Sequence, residues 1–226
     1  MSVLIKLLVD RSGSMVNIAE ETLHGISSFM NEQLNVAKRD DIPMYVSMYL
    51  FDDLFETVYE ATPIEDVQEL TRETFQPRGS TSLYDSLGKV LSDTPDEKYI
   101  RCITVIITDG LENSSMEHTA CSVKVLMEKI QNSNTCAHNF VYLGANQDAI
   151  LEAGKIGIKS SSAINYNTNT SSLKSVYSAT AVQVARCASS KNKTDNVQFT
   201  ELERVSSSVP YDSYVTCEMG SQPNRN

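Results

Sequence analysis

The sequence predicts an α/β fold: a doubly wound, mostly parallel sheet with helices on both faces and one antiparallel edge hairpin strand. Three observations carry that expectation. Short apolar runs alternate with segments whose apolar residues recur at three- and four-residue intervals. The runs at 3–9 and 102–107 are almost unbroken, as strands covered on both faces must be. Two strand-like runs, Met44–Phe51 and Leu54–Ala61, are separated only by Asp52-Asp53, which is hairpin spacing.

Each element can be justified in chain order. The first strand is broken only by Lys6, and a turn of small residues, Asp10 to Ser14, follows it. Leu23, Ile26, Met30 and Leu34 then mark a helix from about Asn17 to Ala37. The hairpin comes next, with Pro43 suggesting an edge position for its first strand, because proline cannot donate to a ladder. A short helix is expected after Pro63 (Ile64 to Leu70), then a loop at Pro77-Arg78-Gly79-Ser80-Thr81. Leu83, Leu87, Val90 and Leu91 form a second helical stripe. The β-branched run Cys102 to Ile107 is the best central strand. Val123, Leu126, Met127 and Ile130 mark another helix, and Phe140 to Gly144 another strand. A helix near Asp148–Lys155 and a short strand at 163–165 precede a last helix carrying Leu173, Val176, Tyr177, Thr180, Ala181 and Val184. The domain is expected to span 1–189. Residues 190–226 read as a polar extension, loose or paired as a short hairpin of 197–202 with 214–217.

Composition narrows the function classes. A chain of 226 residues with 41% hydrophobic content can bury a full core. Its formal charge of −10 (29 acidic against 19 basic residues) disfavours nucleic acid and anionic membrane as partners. No apolar run reaches the roughly 18 residues of a spanning helix, and the N-terminus reads as a buried strand rather than a secretion signal. Five widely spaced cysteines (102, 121, 136, 187 and 217) give neither a disulfide framework nor a zinc pattern. Cys102 and Cys121 read as small core hydrophobes, and a reducing, cytoplasmic setting is expected. His24, His118 and His138 share no ligand spacing.

Three polar clusters fall where an open α/β sheet places its functional groups, past the carboxyl ends of strands. They are Asp10-x-Ser12-x-Ser14, Gly79-Ser80-Thr81 and Thr108-Asp109-Gly110. Each has a plain structural alternative. Ser12, Ser14 or Thr81 could cap a helix, and Asp109-Gly110 could be only a turn. Together, two carboxylates and three hydroxyls from three loops suit a hard octahedral cation such as Mg²⁺, with Mn²⁺ or Ca²⁺ as other candidates.

These residues carry a family resemblance. Asp10-Arg11-Ser12-Gly13-Ser14-Met15 after an apolar strand resembles the Asp-x-Ser-x-Ser element of von Willebrand factor type A (vWA) domains. Gly79-Ser80-Thr81 resembles their loop with the metal-site Thr, and Val105 to Gly110 their strand-end Asp. Gly144 to Ala149 is similar to late segments of small stand-alone vWA proteins of bacteria and phages. The resemblance covers about residues 2–189 and implies a Rossmann-like vWA sheet with a metal-ion-dependent adhesion site. It implies Ser12, Ser14 and Thr81 as inner ligands, with Asp10 and Asp109 facing each other nearby or behind them. A partner protein would complete the coordination with an Asp or Glu. Arg11, Met15 and Tyr84 would flank the site and touch that partner.

Other readings fare worse. A haloacid-dehalogenase-like phosphotransferase with Asp10 as nucleophile wants a second Asp two residues on, where this chain has Ser12. There is no G-x-x-x-x-G-K-[ST], no G-x-G-x-x-G and no G-x-S-x-G elbow. A structural protein in which the cation only staples loops is the remaining alternative to a binding module. Asp52 and Asp53 are expected to form an exposed acidic turn rather than a second metal site, and Asp85 to favour its helix start through the dipole.

Overall fold

A computed structural model describes residues 2–93, 95, 98–132, 136–145, 148–190, 192 and 194–208. The first strand, β1 (Ser2–Asp10), is buried along its whole length. A 3-10 turn (Gly13–Ile18) leads into α1 (Ala19–Asp40). β2 (Met44–Phe51) and β3 (Phe55–Pro63) pair antiparallel, as the hairpin spacing predicts. Then come α2 (Leu83–Ser92), β4 (Tyr99–Thr108), α3 (Ala120–Gln131), β5 (Ala137–Ala145) and α4 (Ala149–Lys155). β6 (Ala163–Tyr166), α5 (Thr170–Ser189) and α6 (Glu201–Ser208) complete the described chain.

The six strands lie in the order β3-β2-β1-β4-β5-β6, and every pair except β2–β3 is parallel. Strand alternation sorts the core into two layers. Val3, Ile5, Leu7 and Val9 of β1, with Ile103, Val105 and Ile107 of β4, pack in one cluster with Ile26, Phe29, Val176 and Val184 of α1 and α5. Leu8 and Ile106 face the other way, towards Leu87, Val123, Met127 and Ala153 of α2, α3 and α4. Lys6, the single polar interruption, has a physical reason. Its ammonium donates to the carbonyls of Val90 and Asp93 and to the Asp93 carboxylate, satisfying the C-terminal end of α2. β1 connects on one side to β2 and on the other to β4, so the winding reverses between β1 and β4. The carboxyl ends of these two strands therefore open the crevice where such sheets hold ligands.

The structure corrects several expectations. β3 is the edge strand, and β2 is internal. Pro43 is tolerated because it precedes the first residue of β2 and contributes only its carbonyl, to the Val3 N–H. The helix expected at 64–70 is a single 3-10 turn, Ile64–Asp66, and residues 67–70 have no regular secondary structure. Nor does the fold stop at 189. Val197 and Phe199 are buried in the α1/α5 layer, and 201–208 is a helix rather than a strand or loose tail. Arg204 of that helix donates to the carbonyls of Ser160, Ser161 and Ala163 beside β6. The expected partner strand 214–217 and Cys217 lie outside the described residues, as do Asn146 and Gln147 of the segment compared above. Cys102, Cys136 and Cys187 are buried, whereas Cys121 is exposed on α3 rather than in the core; all four are free thiols. No described helix is long and apolar enough to cross a membrane.

Candidate metal centre

The last residue of β1 is Asp10, and register places it level with the end of β4, since Val9 pairs with Ile107. Thr108, the last residue of β4, donates its hydroxyl to Asp10 Oδ2 at 2.5 Å. The Ser12 N–H donates to Asp10 Oδ1 at 2.7 Å. Both carboxylate oxygens of a fully buried Asp are thus fixed in direction. Ser12 Oγ lies 3.1 Å from Ser14 Oγ, and the Ser14 hydroxyl donates to Asp109 Oδ1 at 2.6 Å. Thr81 joins from the third loop, its backbone N–H held by Asn113 Oδ1 at 2.9 Å. The Thr81 carbonyl in turn accepts from the N–H groups of Asn113 and Ser114.

Gly110 measures how closely these groups gather. A Cβ built there would sit 3.0 Å from Thr81 Oγ1, 3.5 Å from Ser14 Oγ and 3.8 Å from Asp10 Oδ2. Oxygens from the first two clusters therefore surround one small space beside Gly110 of the third, and a methyl group there would enter it. Asp10, Ser12 and Thr81 are buried and make its floor; Ser14 is exposed and Asp109 half-buried at its mouth. Neither Ser12 nor Ser82, the residues at the two helix starts, makes a side-chain capping bond, so capping does not account for the serines there.

The electrostatics fit a cation. Burial pushes the Asp10 carboxyl up to about 6, against the downward pull of its bonds from Thr108 and Ser12, and neighbouring Asp109 adds to the rise. Asp109 is raised as well, chiefly by burial and against the Ser14 hydrogen bond. Two desolvated carboxyls in one crevice disfavour their own ionised forms, and a cation between them reverses that preference. Among the described residues, no group of three or more His, Cys, Asp or Glu gathers to hold a metal ion. A cation in this crevice would depend on the hydroxyls beside the two carboxylates. The donor set is all oxygen, which matches a hard ion.

The flanking residues behave differently from expectation. Arg11 and Met15 were expected to touch a partner, yet both are buried. Met15 packs in the α1/α5 layer, and Arg11 turns inward to Asp52. Tyr84 is half-buried at the start of α2, with its N–H donating to Glu112. The exposed acidic turn is half wrong: Asp53 is exposed, but Asp52 is completely buried between arginines. Asp85 does more than favour its helix start, since its carboxylate accepts the N–H groups of Met116, Glu117 and His118 and ties the loop after β4 to α2. Sequence reading passed over Thr108 as a support for Asp10, Asn113 as a support for Thr81, and Asp52. The first stood in a singled-out cluster; the other two carried no local signal.

The architecture is the von Willebrand factor type A fold, and solved structures share it. One is proximal thread matrix protein 1 from the mussel byssus, with a zinc-occupied MIDAS motif, at TM-score 0.56 and 13% identity over 81% of this chain and 46% of that one. The pilus adhesin SpaC from Lactobacillus rhamnosus GG matches at TM-score 0.61 and 12% identity, over 83% of this chain and 31% of its own. A von Willebrand factor type A structure from Catenulispora acidiphila matches at TM-score 0.51 and 13% identity, over 81% and 43%. The chain spans less than half the length of each. No family model matches the sequence, and no curated protein matches it.

Proposed function

We propose that the chain is a divalent-cation-dependent protein-binding module that captures a partner through an Asp or Glu side chain. The observation that supports this reading is the gathering of Thr81, Ser14 and Asp10 oxygens within 4 Å of one point beside Gly110, with Ser12 and Asp109 each within hydrogen-bond distance of Ser14. Ser12, Ser14 and Thr81 would hold the ion, with Asp10 and Asp109 beside or behind them. Once bound, Mg²⁺ (or Mn²⁺ or Ca²⁺) would supply a local positive point able to take an anionic oxygen from a partner. The three hydroxyls are neutral and Asp10 is already engaged at both oxygens, so the chain's own groups quench that charge only in part. The zinc-occupied motif of the mussel protein supports a divalent ion at such a site without choosing the element.

The same geometry argues against turnover. Asp10 is buried with one oxygen held by the Ser12 N–H and the other by Thr108, and the second Asp that a nucleophilic Asp10 would want two residues on is Ser12 here. The surrounding loops look outward with apolar side chains. Val16, Leu54, Leu111 and Met116 are 58%, 58%, 56% and 93% exposed, and they lie on the loops after β1, β2 and β4. Such side chains around a polar centre fit a protein partner better than a free small acid. The net charge of −10 adds a weak general repulsion that salt screens, so added salt should leave capture intact or improve it. A random peptide library passed over immobilised protein in Mg²⁺ and eluted with EDTA tests the reading. Enrichment of Asp or Glu beside apolar residues is expected; eluted peptides without acidic enrichment would overturn it.

A further inference from the structure

Asp52 lies outside the five-residue set, yet it touches both flanks of it. Its carboxylate is fully buried, with Oδ2 3.0 Å from Arg11 Nε and 3.0 Å from Arg78 Nε. Oδ1 accepts the Leu54 N–H at 2.6 Å. Its backbone carbonyl accepts both the N–H and the hydroxyl of Ser82. Arg11 stands between Asp10 and Ser12, and Ser82 follows Thr81 directly. One side chain thus ties the loop after β1 to the loop before α2, and both to the hairpin tip.

Backbone bonds stitch the same seam. Arg78 N–H donates to the Arg11 carbonyl at 2.8 Å, Gly13 N–H to the Gly79 carbonyl at 3.2 Å, and Arg11 N–H to the Phe51 carbonyl at 2.7 Å. Gly79 has φ +64°, and a Cβ there would lie 1.8 Å from Asp53 Oδ1, so only glycine lets these loops approach so closely. Arg11 also reaches Glu56 at 2.6 Å, which makes a network of two cations and two anions. Arg11 Nη2 has no hydrogen-bond partner among the described residues, so Asp52 and Glu56 are all that hold this buried guanidinium. A buried ion network of this kind costs desolvation and is weak evidence for stability by itself. Its direction, into two ligand-bearing loops, is the informative feature.

We infer that Asp52, acting through Arg11, Arg78 and Ser82, is a positioning residue that sets the spacing between the Ser12/Ser14 loop and the Thr81 loop. The inference rests on the metal reading above. An octahedral ion tolerates little error in ligand spacing, and residues that orient ligands typically contribute 10–100-fold to metal affinity. Asp52→Asn keeps the size and the acceptor for Leu54 but turns an amide N–H towards two guanidinium groups. The loops should then part.

The test is Mn²⁺ affinity per folded molecule, read by electron paramagnetic resonance, beside the melting temperature of the metal-free protein. Four proteins are compared: wild type, Asp52→Asn, the milder Arg78→Gln, and Val184→Ala as a destabilising control far from the loops. The expected result is about tenfold weaker binding for Asp52→Asn and about threefold for Arg78→Gln. Val184→Ala should melt earlier yet bind as wild type does. Wild-type affinity in folded Asp52→Asn would overturn the positioning role while leaving the metal reading intact. Loss of affinity in Val184→Ala in proportion to its melting temperature would overturn it too. Should Asp52→Asn fail to fold, Arg78→Gln decides, unchanged affinity counting against the role. No Mn²⁺ binding by the wild type would instead overturn the metal reading and this inference together.

Discussion

Gly110→Ala is the smallest change that intrudes on the proposed ion space. Gly110 is not among the residues with positive φ, so the backbone accepts an alanine without strain. The new methyl would stand 3.0 Å from Thr81 Oγ1, 3.5 Å from Ser14 Oγ and 3.8 Å from Asp10 Oδ2. Ordinary carbon–oxygen contact is about 3.3–3.6 Å, so Thr81 must retreat by roughly 0.3 Å or more. That shift is small for a fold but large for a Mg²⁺ ligand, whose bonds are held near 2.0–2.1 Å. A retreating ligand and a methyl group among the donors should together lower Mg²⁺ affinity at least tenfold, about 1.4 kcal/mol. Calorimetric titration with Mg²⁺ reads the affinity, and circular dichroism checks that the variant remains folded. A folded Gly110→Ala protein that binds Mg²⁺ as tightly as wild type would refute the placement of the ion.

Three further outcomes are expected. Gly25→Ala puts a Cβ 2.2 Å from the Tyr177 ring and should force α1 off α5, costing about 1–3 kcal/mol; thermal melting should fall by several degrees while Mg²⁺ affinity holds. His138 is pushed down to about 4 by burial, with Lys6 adding to the effect, from an ordinary 6.5. The unfolded chain therefore binds the extra proton first, and stability should decline as pH falls from about 6.5 towards 4; denaturant titrations of His138→Gln should show a flatter profile in that window. Met116→Asp, on the most exposed apolar side chain of the loop after β4, should weaken capture of library-selected acidic peptides severalfold and leave Mg²⁺ affinity unchanged.

The sheet was legible because its signals are local. Unbroken apolar runs marked β1 and β4, and periodicity marked the helices between them. The five proposed ligands could be picked out for a related reason: Asp10, Ser12, Ser14 and Asp109 stand in short motifs directly after β1 and β4, and Thr81 just before α2. What escaped depends on partners distant in sequence. Asp52 looks like a solvated turn until Arg11 and Arg78, 41 and 26 positions away, close on it. The burial of Arg11 has the same origin, since nothing beside it in the chain announces a carboxylate. α6 was missed because its sequence is polar, and what holds it in place is distant in the chain: the Arg204 bonds to Ser160 and Ala163, the Gln183 amide on Glu203, and Asn167 on the carbonyls of Ser207 and Ser208. Pro43 misled because a proline just before a strand costs no ladder bond, even in the interior of a sheet.

The central claim is that three loops build one divalent-cation site, and Mg²⁺ titration of wild type against Ser12→Ala tests it most directly. Ser12 Oγ is buried beside Ser14, so its removal takes one donor and leaves the sheet untouched. The account predicts one saturable Mg²⁺ per wild-type chain and at least a tenfold loss in Ser12→Ala at an unchanged melting temperature. Equal binding by both proteins, or no saturable binding by either, would contradict it.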